Sequence, residues 1–176
     1  MPPYSRIRLH LVPFEPLHAE IIRRIPESYI ITIMRRMMYR IAAGVAANSA
    51  CLAIVNGESI GQVASQTLES MACIGRVTDR LVLRPLATTD KIDIMAIARR
   101  IGTFDVSIRP FEDCCTIYLP KNPVIRPAAD VAENLEATFA FAPMVETAIA
   151  NIKTLVLLPA AHFDITAKGL VVQECL

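Results

Sequence analysis

Few residues in this chain combine the type and spacing that chemistry needs. The five cysteines are Cys51, Cys73, Cys114, Cys115 and Cys175, and the one adjacent pair lies in Glu112-Asp113-Cys114-Cys115. An odd number with no C-x-x-C spacing makes a poor disulfide framework and fits a reducing compartment. His10, His18 and His162 form no ligand cluster with them, so no protein-bound metal is expected. A thiol at Cys114 or Cys115 reacts only as thiolate. Asp113 opposes that form, so a guanidinium such as Arg84 or Arg109 would have to offset it. A vicinal disulfide would need strained peptide geometry, and none is assumed. A second candidate is the turn Asn56-Gly57-Glu58-Ser59. Gly57 permits close backbone approach, and a helix opening after it would offer free N–H groups to an anion or ribose. The same residues describe an ordinary strand-to-helix turn. A third is the basic concentration at Arg23, Arg24, Arg36 and Arg40, which reads either as an RNA contact or as solvated helix faces.

These groups must be positioned by one domain, since 176 residues suffice for a single sizeable core. The net charge of +1 gives no global attraction to nucleic acid, so RNA contact would have to be local. The first residues lack the pattern of a signal peptide. No window approaches the roughly 20 apolar residues of a membrane span, so a cytoplasmic location is expected. Ile7 to Pro13 alternates as a short strand, and Leu17 to Ile25 reads as a helix stopped by Pro26. Ser28 would cap a long helix from Tyr29 to Asn48. Ile30, Ile33, Met34, Met37, Met38, Ile41 and Val45 make its apolar stripe, leaving Arg36 and Arg40 on a polar face.

Cys51 to Val55 is a continuous apolar run, expected as a buried parallel strand with Cys51 in the core. Ser59 and Gln62 have capping-box form, opening a helix to about Met71, and Cys73 is expected to be buried. Leu81 to Leu83 is another strand. A helix from Thr89 and Asp90 to Gly102 should turn Ile94, Ile97, Ala98 and Ile101 inward. Residues 102–127 read as loop, Ala128 to Thr138 and Pro143 to Asn151 as helices, and Leu155 to Leu158 as an edge strand. Residues 159–176 form an unplaced tail. Strands alternating with helices argue for an α/β fold with a parallel sheet and flanking helices. Ligands sit at the carboxyl ends of such strands, which points to the turn at Asn56 to Ser59.

Four segments also carry a resemblance: MRRMMYR at 34–40, GESIGQVASQTLESM at 57–71, LRPL at 83–86 and EDCCTIY at 112–118. In wording, order and spacing they resemble consecutive motifs of the tRNA 4-thiouridine synthase (tRNA sulfurtransferase) family, over about Ile7 to Leu157. The resemblance implies that residues 1–158 are part of a PP-loop ATP pyrophosphatase domain. It implies ATP, with Mg accompanying it, adenylating O4 of a tRNA uridine. A persulfide from a cysteine desulfurase then displaces AMP, and the family is also linked to the thiazole of thiamine. Carried over by motif, the nucleotide contacts fall on Arg35, Gly57 and Gln66. The sulfur-handling thiol falls on Cys114, with Cys115 the less favoured neighbour; RNA contact at Arg36 and Arg40 is read from the basic concentration, not from the motif match.

The departure from the family is the Ser-Gly-Gly-x-Asp-Ser loop that cradles pyrophosphate, which these 176 residues do not contain. The family's sheet order of 3-2-1-4-5 would make Ile7 to Pro13 strand 3 and Cys51 to Val55 strand 4, with strands 1 and 2 missing between them. Three outcomes are expected: direct pairing of the two edges, a second chain in the slot, or a product that folds poorly alone. The partners implied are tRNA, the desulfurase, and a separate chain supplying the loop and an RNA-binding region, or a homodimer. The chain alone is expected to be inactive. The competing expectation is a non-catalytic remnant that accepts sulfur or oligomerises without binding ATP.

Overall fold

The apolar stripe at residues 30–45 becomes the axis of the fold. The computed structural model describes residues 7–110 and 122–157. Its elements are β1 (Ile7–Leu11), α1 (Glu15–Arg24), α2 (Ile30–Asn48), β2 (Ala53–Val55), α3 (Leu68–Gly75), β3 (Leu81–Leu83), α4 (Lys91–Arg100), α5 (Phe104–Ser107), α6 (Ala129–Glu136), α7 (Phe141–Ala150) and β4 (Lys153–Leu157). Ile30, Ile33, Met34, Met37 and Ile41 of α2 are buried together with Leu17 and Ile21 of α1, Cys73 of α3, Ala132 of α6, and Val145 and Ala148 of α7. Three-and-four spacing delivers that arrangement, because it keeps one stripe facing the neighbouring helices. Gly44 lets α7 come close: a Cβ there would lie 2.5 Å from Cδ1 of Ile149.

The strands form two separate pairs. β2 and β3 are parallel, with Ala53 opposite Leu81 and Val55 opposite Leu83. β1 and β4 are antiparallel, with Ile7 opposite Leu157 and Leu11 opposite Lys153. No ladder joins β1 to β2, so the two edges do not close up and pair directly. The result is a small parallel sheet and an antiparallel ribbon arranged about α2, the mixed α/β architecture expected from the alternation of elements. Among the described residues, no helix is long and apolar enough to cross a membrane.

Four local expectations are corrected. Ser28 does not cap α2: a 3-10 turn at Glu27–Tyr29 feeds directly into the helix, and Tyr29 takes the cap position without a side-chain bond. Ser59 and Gln62 do not open a helix either. Gly61 sits at φ +80°, a left-handed conformation that interrupts helical winding, so residues 59–66 fold as a loop ending in a 3-10 turn at Ala64–Gln66. The helix begins later, where Thr67 Oγ1 accepts from the Ser70 N–H at 3.1 Å. Cys51, expected in the core, is exposed, because the strand starts two residues after it. The inward set of α4 is only half-buried, and Ile101 is exposed.

The Thr67 hydroxyl also donates to the Ile125 carbonyl at 2.6 Å, joining the helix start to the segment before α6. Thr67→Ala is expected to cost about 1–2 kcal/mol, the upper part of the usual range for a lost cap, read as a lower urea midpoint at unchanged slope.

Candidate functional site

Helix α2 carries two polar rows, Arg35 with Tyr39 and Arg36 with Arg40, each four apart and therefore stacked on one face. Each row closes on one buried carboxylate. The first closes on Glu58, in the turn that follows β2. Asn56 Oδ1 accepts from the Glu58 N–H at 3.2 Å, an Asx turn that bends the chain at the strand's carboxyl end. The turn drives the Glu58 side chain inward until it is 4 % exposed. There Glu58 meets Arg35 in an ion pair and accepts from Arg84 Nε at 2.6 Å. The Tyr39 hydroxyl donates to it at 3.0 Å and Asn56 Nδ2 at 2.9 Å. Arg84 also donates to the Tyr39 hydroxyl at 3.3 Å. Two guanidiniums on one carboxylate leave this cluster with a net positive charge, which favours an anion beside it.

The loop then folds back over the same place. Arg35 donates to the Ser65 carbonyl at 3.0 Å and to Ser65 Oγ at 3.1 Å. Gln66 Oε1 accepts from the Ser59 N–H at 3.4 Å, and the Gln66 carbonyl accepts from the Gly61 N–H at 2.9 Å. Arg35, Gly57 and Gln66, separated by up to 31 positions in the numbering, are thus gathered by one loop at the end of a parallel strand. No described atom lies within 4 Å of where a Cβ at Gly57 would sit, so packing inside the chain does not demand glycine there.

The second row has another destination. Arg36 is 1 % exposed and donates to Glu136 from Nε at 2.7 Å and from a terminal nitrogen at 3.0 Å, while its other terminal nitrogen reaches the Cys73 carbonyl at 2.6 Å. Arg40 donates to both oxygens of Glu136, at 2.9 and 3.0 Å, and lies over the Phe141 ring at 4.6 Å. Burial opposes the charge of Arg36, but its bonds to Glu136 outweigh that, and its pKa is held above the ordinary value. The solvated polar face expected at Arg36 is therefore an interior joint linking α2, α3 and α6, and only Arg40 keeps partial access to water.

Cys114 and Cys115 lie outside the described residues. Arg84, one of the two guanidiniums suggested as their activators, is committed to Glu58 and Tyr39. Burial pushes the Cys73 thiol up, against the pull of Arg36, so it stays protonated near neutral pH. Brief alkylation of the folded protein followed by peptide mapping is expected to modify Cys51 and to spare Cys73. Among the described residues, no group of three His, Cys, Asp or Glu could hold a metal ion.

Residues 3–141 match the family described as Thiamine biosynthesis protein (ThiI). The chain belongs to the ThiI family. It is similar to a probable tRNA sulfurtransferase of Acholeplasma laidlawii (strain PG-8A), with 46% identity over 174 residues, covering 99% of this chain and 42% of the relative. It is also similar to the solved structure titled "Crystal structure of a 4-thiouridine synthetase - RNA complex with bound ATP". There the TM-score is 0.81 at 40% identity, covering 86% of this chain and 40% of the other. The chain thus spans about two fifths of the length of these ThiI-family relatives.

Sequence reading named Arg35, Gly57 and Gln66 but missed Glu58, Tyr39 and Glu136. The signal for the first two was present: Arg35 and Tyr39 share a helix face, and a carboxylate follows Asn56-Gly57 at the end of an apolar run. Glu136 gave no local signal, because its partners lie 96 and 100 positions away.

Proposed function

We propose that this chain supplies one wall of the nucleotide pocket, and the sulfur-carrying loop, of a tRNA sulfurtransferase that converts a tRNA uridine to 4-thiouridine. The observation that carries the reading is the gathering of Arg35, Gly57 and Gln66 beside a positively charged cluster at the carboxyl end of β2. Two relatives point the same way, one named a tRNA sulfurtransferase and one solved with RNA and ATP.

ATP is a substrate here, with Mg travelling on its phosphates. It transfers AMP to O4 of the uridine as the α–β phosphoanhydride bond breaks and pyrophosphate leaves, which turns that oxygen into a leaving group. The chain's own groups hold the nucleotide. Arg35 and Arg84 set positive charge beside the nucleotide, and the open backbone at Gly57 admits close approach. Cys114 carries the persulfide received from a cysteine desulfurase. Its terminal sulfur bonds to C4 as the C4–O4 bond breaks and AMP departs. A second thiolate, other than the vicinal Cys115 whose disulfide with Cys114 would be strained, then attacks the Cys114 sulfur and breaks the S–S bond. The new disulfide stays on the protein, and sulfur remains on the base. RNA contact is assigned to Arg40, with Arg36 behind it fixing Glu136. The same sulfur relay also serves thiamine thiazole formation.

The test is calorimetric titration of ATP into the chain alone, and into the chain co-expressed with the part of the Acholeplasma laidlawii relative that it does not match. Measurable affinity only in the second case is expected, falling at least tenfold with Arg35→Ala, since bonds to charged groups contribute about 1.5–3 kcal/mol. Equal affinity of the Arg35→Ala protein would overturn the assignment of Arg35. Lack of binding in both cases would favour a non-catalytic module.

A further inference from the structure

Helix α3 opens at a pair of hydroxyls that do more than cap it. An N-cap needs only an acceptor, and Thr67 Oγ1 meets that need by accepting from the Ser70 N–H at 3.1 Å. A hydroxyl also carries one proton, and that of Thr67 goes to the Ile125 carbonyl at 2.6 Å, 58 positions away. Ser70 is 0% exposed, and its Oγ lies 2.9 Å from Thr67 Oγ1. With the Thr67 proton on Ile125, the Ser70 proton serves the Ala64 carbonyl at 3.2 Å, and Ser70 Oγ also lies 3.3 Å from the Ile125 carbonyl. Two protons thus join three stretches: the loop at 57–66, the start of α3 and the segment at 122–127. If Ile125 leaves, Thr67 can turn its proton to Ser70; if Ala64 leaves, Ser70 can turn its own to Ile125.

Each outer stretch borders a part of the site. Ala64 begins the 3-10 turn that ends at Gln66, and Gln66 closes the loop through the Ser59 and Gly61 N–H groups. Ile125 follows Cys114 by 11 positions and Cys115 by 10. The Ile125 side chain is 54% exposed, so the carbonyl, not side-chain burial, is what fixes this residue. Beside it the Val124 N–H donates to the Ser28 carbonyl at 3.0 Å. Arg126 and Glu69 add an exposed ion pair at 3.3 Å, of a kind that contributes little. A tie made of a few backbone hydrogen bonds opens at small cost. Whatever steadies the loop at Ala64 therefore steadies the arrangement at Thr67, and the effect must run both ways.

We propose that Thr67 and Ser70 are positioning residues that couple the loop at 57–66 to the segment at 122–127, so that ATP held at the loop also fixes Ile125. The choice of ATP rests on the nucleotide reading of Arg35, Gly57 and Gln66; the tie itself rests on the hydrogen bonds of the two hydroxyls. Two substitutions separate capping from coupling. Thr67→Asp keeps an acceptor for the Ser70 N–H but has no proton for the Ile125 carbonyl at neutral pH. Thr67→Ser keeps both functions.

Amide exchange reads both ends, in the full chain alone and in the chain co-expressed with the part of the Acholeplasma laidlawii relative that it does not match. Without ATP, Thr67→Asp is expected to speed exchange of the Val124 N–H at least about fivefold, the usual contribution of one hydrogen bond. The Ser70 and Met71 amides should stay as in the parent, and Thr67→Ser should match the parent throughout. In the complex, saturating ATP is expected to slow exchange at both Gly61 and Val124 in the parent and in Thr67→Ser, but at Gly61 alone in Thr67→Asp. Ser70→Ala keeps the cap and loses the proton for Ala64, and it should lose the Val124 response as well. If Thr67→Asp does not fold, Ser70→Ala decides. Val124 slowing that persists in both variants, or that is missing from the parent while Gly61 slows, would overturn the coupling. So would parent-like Val124 exchange in Thr67→Asp without ATP. No slowing at Gly61 in the parent complex would instead sink the nucleotide reading, and the Val124 rates without ATP would then decide the tie.

Discussion

Replacing Glu136 by Gln is expected to remove about 3–5 kcal/mol of stability, enough to bring the chain near its unfolding midpoint if its total lies low in the usual range of about 5–15 kcal/mol. Glu136 is 2 % exposed and accepts from two guanidiniums, one of them 1 % exposed. Gln keeps the shape and loses the charge, and its amide nitrogen would face donors. Arg36 would then be a buried cation with no anion, and α2, α3 and α6 would lose their common joint. The penalty lies in stranding the charge more than in the attraction lost. Arg36→Met combined with Glu136→Met should therefore recover much of the stability, because Arg40 can turn toward water. Urea unfolding followed by circular dichroism measures all three proteins. A loss below 1 kcal/mol for Glu136→Gln would show that water or a neighbouring group replaces the carboxylate. The same reasoning governs any RNA-binding assay at this place, where Arg36→Ala would report unfolding before it reported a lost contact.

The elements were legible because their signals are local. The three-and-four stripe of α2, the apolar run before Asn56, and the prolines and glycines between helices each depend on residues within a few positions of one another. Local signals also misled where a non-local or conformational cause prevailed. The Ser59 and Gln62 pattern has the wording of a helix start, but Gly61 adopts a left-handed conformation, and Thr67 has Ser70 and Ile125 to bind instead. Cys51 looked interior because its neighbours are apolar. It lies on the approach to β2, where Leu52 is itself 88% exposed. Apolar composition marks what can be buried; whether it is buried depends on what packs there.

The grouping of the candidate residues was legible in outline for a different reason. Arg35, Gly57 and Gln66 came from motif wording, and the fold explains how a strand-end turn and one loop gather them. The carboxylate beneath them was not legible. A glutamate in a turn reads as solvated, and only the position of β2 against α2 carries Glu58 to Arg35, Tyr39 and Arg84. Likewise Arg36 and Arg40 read as a basic face until the carboxylate that neutralises them appears a hundred positions later in the chain.

Glu58 should accordingly have two effects that separate in measurement. Glu58→Gln is expected to cost about 2–3 kcal/mol of stability, less than at Glu136, because the side chains of Arg35 and Arg84 are 17% and 22% exposed and water can take up part of their charge. It is also expected to weaken ATP binding at least tenfold in the complex with the relative's segment. The guanidiniums remain, so net charge at the site rises, and simple attraction predicts tighter binding of a polyanion. Weaker binding would show that Glu58 acts by holding Arg35 and Arg84 in place, at a cost in mobility that the nucleotide must otherwise meet. Glu58→Asp retains the charge on a shorter arm and should recover stability more fully than affinity. Raising ionic strength tells the cases apart: attraction by unheld arginines is screened, whereas the parent protein's fixed hydrogen bonds are less so. Tighter ATP binding by Glu58→Gln would assign the carboxylate to folding alone and leave the positioning of Arg35 to Ser65.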